Sequence, residues 1–240
     1  MFETVALNPR IRPAELVSRE WLTDEYVRVR LAGEALVGFE SPGSDDHVRL
    51  FFLPEDAAAP NSPDGWRAFH SREYTPVAFD ADAGWADFEM LVHGRGRGSD
   101  FAERAPIGAP IAVAAPRRSR RMVGTPDSIF LAGDETSLPA INRFLGLRPP
   151  DAPATVLLEV SCANRRVPLS EGEGVDVTWL IRPEQRLAGA ITSLTDADRP
   201  HGDVFAFVAG EAGVVPAARA LFARWQLPPD ASVAKGYWRG

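Results

Sequence analysis

Residues 128–145 read SIFLAGDETSLPAINRFL and decide the fold of the C-terminal half of the chain. The first five residues are a compact apolar strand, residues 133–136 are a polar loop, and residues 138–145 have the apolar spacing of a helix. The same alternation continues downstream, with predicted strands at 155–160, 177–181 and 204–209 and predicted helices at 187–194 and 214–225. Alternating strands and helices predict an α/β domain with a parallel sheet.

The residues before this stretch predict short strands separated by Gly, Pro and Asp. Val27, Val29 and Leu31 alternate with Arg28 and Arg30, as in a strand with one buried face. Taken together, such segments predict a six-stranded antiparallel β-barrel with one short helix that begins at Ser99. The other predicted strands of this half are at 48–53, 72–79 and 85–92.

The change from short strands to alternating strands and helices falls in the polar segment 116–126, which contains four arginines. We therefore predict a barrel domain at residues 1–118 and an α/β domain at residues 119–240.

Composition excludes several classes of protein. The chain has 240 residues, of which 45% are hydrophobic and 25% charged, as in a folded globular protein. Without a long apolar run or the layout of a signal peptide, a soluble cytoplasmic protein without a membrane partner is expected, and we expect a monomer. A net charge of -7 argues against nucleic acid as a partner. Cys162 is the single cysteine, and no metal site is expected.

The tetrapeptide Arg72-Glu73-Tyr74-Thr75 lies on a predicted barrel strand. A flavin dinucleotide needs a cation for its diphosphate, an aromatic side chain beside its ring system and a donor near its reactive nitrogen. Arg72, Tyr74 and Thr75 supply these three groups. The alternative is an ordinary strand with a packed tyrosine.

A run of spaced glycines, Gly94, Gly96 and Gly98, precedes Ser99. Glycines let the backbone approach a ligand, and Ser99 at the start of a helix would leave N–H groups free for a diphosphate. The alternative is a glycine-rich hairpin.

Two loops follow predicted strands of the α/β domain, and both contain glycine and acidic residues. Parallel sheets bind ligands at the carboxyl ends of their strands, so both loops are candidate nicotinamide sites. The competing interpretation is that Asp134 or Thr136 caps a helix. The residues concerned are Gly133, Asp134, Glu135 and Thr136 in the first loop and Gly210 and Glu211 in the second.

Arg165 and Arg166 follow the second predicted strand of the α/β domain, where arginine accommodates the 2′-phosphate of NADP. They favour NADPH as the donor, with NADH and ferredoxin left open. A plain surface pair is the alternative, because 25 of the 26 basic residues are arginine and only Lys235 is lysine. Cys162 is expected to be a packed small residue.

Collinear blocks along residues 16–240 resemble the siderophore-interacting protein family, FAD-dependent ferric-siderophore reductases of the ferredoxin-reductase-like superfamily. Besides the Arg72 motif, the blocks are FEMLVHGRGRGSDFA at 88–102, IFLAGDETSLPAI at 129–141, VTWLIR at 177–182, FVAGEAG at 207–213 and KGYWRG at 235–240.

The resemblance implies FAD as cofactor, NADPH or NADH as electron donor and a ferric siderophore as substrate. It implies no acid–base catalytic pair and no iron ligand from the protein. Cations beside Tyr237 and Trp238 suit an anionic chelate, and a solvated tail is the alternative. The resemblance adds His93 to the flavin residues Arg72, Tyr74, Thr75, Gly94, Gly98, Ser99 and Thr136, and the substrate cations it implies are Lys235 and Arg239 with Arg117 and Arg118 from the linker.

The chain departs from the family pattern at several positions. Val77 replaces the second arginine of the flavin motif, and loss of such a charge-assisted contact costs roughly 1.5 to 3 kcal/mol, about ten- to a hundredfold in affinity. Arg97 replaces a proline and is a candidate for returning that charge. Two further substitutions relative to the family pattern are more conservative: Phe101 replaces a tryptophan and Ala115 replaces a glycine. These changes leave a second hypothesis, a flavin-poor member that has become a small-molecule binding protein or a non-reductive biosynthetic enzyme.

Overall fold

A computed structural model describes residues 1–54, 57–170 and 172–239. Two compact units are present: one is Thr4–Arg121, and the other combines Met1–Glu3 with residues 122–239. Strands β1 (Phe2–Ala6) and β9 (Arg118–Met122) form a small two-stranded sheet, and each of them crosses the division between the units. Gly240, the last residue of the predicted substrate tail, lies outside the described residues.

The unit Thr4–Arg121 contains a seven-stranded antiparallel sheet with the strand order β5-β4-β8-β2-β3-β7-β6. Its elements are β2 (Ile11–Trp21), β3 (Tyr26–Ala32), β4 (Val48–Phe52), β5 (His70–Tyr74), β6 (Pro76–Asp80), β7 (Trp85–Leu91), helix α1 (Arg97–Arg104) and β8 (Pro110–Ala114).

The two edge strands of this sheet, β5 and β6, are joined by the single residue Thr75. One residue spans only about 3.8 Å, so the ends of the sheet meet and the sheet curves into a barrel. We call the junction at Thr75 the seam. The predicted count of six strands was wrong because residues 72–79 are two strands and not one. Pro76 has no N–H to donate to a ladder, so a new strand begins there.

The barrel core follows the alternation seen in the sequence. Val27, Val29 and Leu31 of β3 are completely buried and pack with Phe52 and Phe88. The arginines between them point outward, where Arg28 pairs with Glu89 and Arg30 with Asp87, both at 2.7 Å. The prediction of a half-buried strand is confirmed.

The second unit contains a five-stranded parallel sheet with the order β12-β11-β10-β13-β14. Its elements are β10 (Ser128–Asp134), α2 (Leu138–Leu147), β11 (Ala154–Val160), β12 (Val175–Ile181), α3 (Leu187–Ser193), β13 (Val204–Glu211), α4 (Val214–Arg224) and β14 (Ser232–Trp238). The predicted parallel α/β fold is confirmed. Residues 235–238 of the C-terminal block, which the sequence suggested as a tail, belong to β14, an edge strand of the sheet.

The chain builds this sheet outward from β10 to β12 and then returns to β13 and β14 on the other side. The strand order therefore reverses between β10 and β13, and such a switch point leaves a crevice at the carboxyl ends of the strands. Phe130 of β10 and Val208 of β13 are buried against Trp225 at the end of α4, which anchors the helical layer. Within the described residues, no helix combines the length and the apolar character needed to cross a membrane.

Candidate functional site

The flavin motif lies at the seam of the barrel. Successive residues of a strand point to opposite faces, so His70, Arg72 and Tyr74 share one face of β5. Arg72 is exposed, and within the described ranges its guanidinium donates only to the carbonyl of Ser71, at 3.0 Å. Thr75 is buried between the two edge strands. The seam therefore presents a cation and a phenol side by side.

Tyr74 meets the start of helix α1. Its ring stands edge-on to Phe52, with 6.4 Å between the ring centroids. A side chain at Gly98 would overlap the Tyr74 hydroxyl, so this glycine makes room for the phenol. Burial raises the pKa of Tyr74 to about 12, against a smaller opposing effect of the Arg72 charge. The hydroxyl is therefore a neutral donor at pH 7, and within the described chain it has no hydrogen-bond partner.

The helix after the glycine run begins at Arg97, two residues before the predicted start at Ser99. Gly94 and Gly96 have φ of 70° and 83°, which lets the chain turn into the helix early. Ser99 lies inside the helix, where its buried hydroxyl accepts from the amides of His93 and Gly94 at 3.0 and 3.1 Å. The predicted helix start at Ser99 was wrong, and Ser99 instead closes the loop before the helix. That the N–H groups of the first helical turn bind a diphosphate stays a prediction.

Positive charge gathers beside this helix. Partial desolvation lowers the pKa of His70, and the charges of Arg72 and Arg97 lower it further. The charges of both guanidinium groups therefore act on one imidazole. Val77, where the resemblance implies another arginine, is the extra residue of a β-bulge, because the register between β6 and β7 shifts between Pro76 and Ala78.

In the second unit, Asp134 at the end of β10 is buried and accepts four hydrogen bonds. One oxygen accepts from the amide and the hydroxyl of Thr136 at 2.9 and 2.5 Å. The other accepts from the amide of Glu211 at 2.9 Å and from the indole of Trp238 at 2.8 Å. Asp134 thus caps the short turn Glu135–Ser137 and ties three strands together. The capping interpretation accounts for Asp134.

Gly133 and Gly210, the predicted glycines of these two loops, lie where a larger side chain would clash with its neighbours. A Cβ at Gly133 would overlap the Ser137 hydroxyl, and a Cβ at Gly210, which has a φ of 150°, would lie 2.6 Å from the Asp134 carboxylate. The two glycines therefore let the loops close around Asp134.

Glu135, only 4% exposed, is held by internal partners. Its carboxylate accepts from the amide of Ser161 at 2.8 Å and pairs with Arg182 at 2.7 Å and with Arg165 at 3.4 Å. A buried charge needs such partners, and they leave Glu135 few lone pairs for a ligand. Arg165 is partly committed, whereas Arg166 is exposed and forms no ion pair among the described residues.

The ion pairs continue across the carboxyl ends of the strands. Arg182 also pairs with the buried Glu159 at 2.7 Å. Arg186 approaches Glu159 at 3.6 Å and pairs with Glu211 at 2.7 Å. Sequence reasoning assigned no role to Glu159, Arg182 or Arg186, although Arg182 ends one of the family-like blocks. The available signals were a carboxylate inside the apolar strand β11 and an arginine directly after β12.

A cleft of about 210 Å³ opens at this edge of the sheet. It includes residues of β10, β11 and β13, so it lies at the switch point, where the sequence predicted a ligand. It also contains the starts of α3 and α4. The lining residues are Asp134, Glu159, Arg186, Leu187, Ala188, Glu211, Gly213 and Val214.

The predicted substrate cations are distributed between the two units. Lys235 lies on β14 beside Ala209, and Arg239 is exposed just after that strand. Arg117 and Arg118 belong to the barrel unit, where the carbonyl of Arg117 accepts from the amide of Leu7 at 3.1 Å. Cys162 is exposed, so the expectation that it is packed was wrong.

Two family models match the chain. Residues 15–120 match the siderophore-interacting FAD-binding domain, and residues 126–240 match the siderophore-interacting protein model. Together they cover nearly all of both units.

Named relatives match along the whole length. The chain is 27% identical to the ferric vibriobactin reductase of Vibrio cholerae over 250 residues, covering 99% of this chain and 92% of the relative. It is 29% identical to the NADPH-dependent ferric-chelate reductase of Escherichia coli over 246 residues, covering 95% and 93%. A crystal structure of a siderophore utilization protein from T. fusca superposes with a TM-score of 0.86 and 29% identity, covering 100% of this chain and 96% of that one. The fold is ferredoxin-reductase-like. The chain belongs to the siderophore-interacting protein family.

Proposed function

We propose that the protein reduces a ferric siderophore with electrons from NAD(P)H and that it uses bound FAD to do so. The observation that carries this proposal is the seam of the barrel, which has Arg72, Tyr74 and Thr75 and where the Tyr74 hydroxyl contacts Gly98 in the first turn of α1. Relatives named as ferric vibriobactin reductase and ferric-chelate reductase support the substrate class.

The donors at the seam fit a flavin dinucleotide. Arg72 supplies positive charge for its diphosphate, and the neutral Tyr74 hydroxyl is a donor without a partner among the described residues. Thr75, His93, Gly94, Gly98, Ser99 and Thr136 complete the proposed flavin residues. When bound, FAD accepts two electrons from a nicotinamide and releases them singly, which suits a one-electron acceptor such as Fe(III). No acid–base residue is needed for this chemistry.

In our proposal, NAD(P)H binds to the α/β unit at the carboxyl edge of its sheet. The cleft beside Asp134 and Glu211 would receive the nicotinamide end, with Gly133 and Gly210 shaping the loops and Glu135 positioning Arg165. The exposed Arg166 would take the 2′-phosphate of NADPH. Residues 1–118 would thus be the FAD-binding domain and residues 119–240 the NAD(P)H-binding domain.

The substrate would be recognised by charge. Ferric catecholate and hydroxamate chelates are often anionic, and Lys235, Arg239, Arg117 and Arg118 supply cations. Since NAD(P)H is held inside cells, this reaction belongs in the cytoplasm. We propose a monomer, which size-exclusion chromatography with light scattering tests.

Absorbance spectroscopy of the purified protein tests the function. FAD is added, then anaerobic NADPH or NADH, then a ferric siderophore together with a coloured Fe(II) trap. We expect the flavin band to bleach with nicotinamide and to return as Fe(II) appears. Failure to bind FAD at any concentration would overturn the proposal and would favour the binding-protein or biosynthetic alternative, which the neutral Val77 supports.

A further inference from the structure

Arg72 and Arg97 lie on the two elements that meet at Tyr74, strand β5 and helix α1. Arg72 shares one face of β5 with His70 and Tyr74. Arg97 is the first residue of α1, directly before Gly98, the residue that the Tyr74 hydroxyl contacts. The strand face that carries Arg72 therefore abuts the helix turn that carries Arg97. The lowered pKa of His70, on which both charges act, agrees with this arrangement.

Neither arginine has an acidic partner in the described part of the chain. Arg72 donates only to a backbone carbonyl. Glu73, its neighbour, alternates to the other face of β5 and pairs with Arg49 at 2.9 Å. Asp100, the acidic residue in the first turn of α1, forms no ion pair with either arginine. Two like charges held together without a counter-ion repel each other unless an anion joins them.

A second arginine, Arg95, lies near Arg97 in the sequence but not in the helix. Arg95 is also exposed, but it lies between Gly94 and Gly96, before the helix begins, and it is not among the charges that act on His70. Arg97, by contrast, belongs to the helical turn that contacts Tyr74 through Gly98. Arg95 is therefore a matched control in charge, exposure and sequence neighbourhood.

We propose that Arg97 and Arg72 together form an anion site at the seam that takes the diphosphate of the flavin dinucleotide, with Arg97 as the second cation. This inference rests on the proposed function for the identity of the anion. In the family pattern the second arginine stands at position 77, on strand β6. In this chain its role would pass to Arg97, on helix α1.

Binding measurements separate phosphate recognition from flavin-ring recognition. Arg97→Ala and Arg95→Ala are titrated with FAD, FMN and riboflavin, and flavin fluorescence gives each Kd. We expect Arg97→Ala to weaken FAD about ten- to a hundredfold and to leave riboflavin within about twofold, since riboflavin has no phosphate. Arg95→Ala should bind all three as the parent does. The FAD affinity of the parent should also fall more steeply with salt than that of Arg97→Ala.

A second probe makes the result independent of flavin. Inorganic pyrophosphate should raise the thermal midpoint of the parent and of Arg95→Ala, and should have less effect on Arg97→Ala. Equal FAD affinity in all three proteins would overturn the inference while the proposed function stands. If Arg97→Ala weakened the binding of FAD and of riboflavin equally, the proposed role of the Arg97 charge in diphosphate binding would be overturned. If the parent binds pyrophosphate through Arg97 but not FAD, the anion site stands and the proposed function fails.

Discussion

At the residue scale, Tyr74 connects the sequence motif to the chemistry of the seam. Its hydroxyl fits only because Gly98 has no side chain, and the Phe52 ring is one of its aromatic neighbours. Such a buried phenol is costly to ionise, since burial penalises the charged form. The residue is therefore suited to donate a hydrogen bond and unsuited to act as a base.

The raised pKa of Tyr74 predicts a specific pH dependence. In the unfolded chain the phenol titrates near 10, whereas in the folded protein its pKa is about 12. Its contribution to stability is fully present below pH 10 and is lost as the pH rises toward 12. We expect Tyr74→Phe to lack this loss, which amounts to about 2.7 kcal/mol when complete, because two pKa units at about 1.4 kcal/mol each separate the folded and unfolded states. Urea unfolding at several pH values measures it. The same alkaline loss in Tyr74→Phe would show that another group is responsible.

At the element scale, the loop after β11 separates two arginines that the sequence alone cannot distinguish. Arg165 is drawn inward to the buried Glu135, and Arg166 stays exposed. Glu135 in turn depends on Arg182 from β12, so the loop is fixed by its neighbouring strand. One arginine supports the edge of the sheet and the other is available to a ligand.

This separation predicts different effects of two substitutions. Arg166→Ala should raise KM for NADPH about tenfold and leave KM for NADH within about twofold, because only NADPH carries the 2′-phosphate. Arg165→Ala should affect both donors alike and lower the thermal midpoint, since Glu135 loses a partner. Steady-state kinetics with both donors and thermal unfolding distinguish the two. Equal effects of Arg166→Ala on both donors would contradict the assignment.

At the scale of the whole molecule, charge is distributed unusually. The chain has a net charge of -7, and its single lysine lies on the last strand of the parallel sheet. An anionic chelate approaching such a protein needs a local cation. Lysine-directed chemistry can therefore address Lys235 alone, apart from the amino terminus, which is paired with Asp230 at 2.8 Å.

Acetylation of the amino groups of the protein therefore tests the role of Lys235, the single lysine. We expect it to raise KM for an anionic ferric siderophore severalfold and to leave the rate of flavin reduction by NADPH unchanged, because only substrate attraction is lost. Lys235→Gln should reproduce the effect, and acetylation of Lys235→Gln should add nothing. A slower flavin reduction after acetylation would instead connect Lys235 to the nicotinamide step.

The order of apolar and polar residues determined the two kinds of architecture. Alternation in β3 predicted a half-buried strand, and SIFLA followed by a polar loop and a helix predicted a parallel α/β unit, because local periodicity reflects which face is buried. The sequence motifs also identified Tyr74, Gly98 and Asp134 as candidate cofactor-binding residues. Their spacing along the chain could not show that Tyr74 contacts Gly98 or that Asp134 holds Trp238.

Tertiary structure alone decided which candidate groups remain available to ligands. Asp134 and Glu135 looked like cofactor residues, yet their oxygens are taken by Trp238, Arg182 and other distant partners. Burial makes an unpaired carboxylate costly, so whichever donors the fold brings near must satisfy it. The seam shows the reverse case, since Arg72 and Arg97, on the two elements that meet at Tyr74, form no ion pair within the described ranges. Pairing of charges depends on distances in space, and residue order along a strand or helix does not specify them.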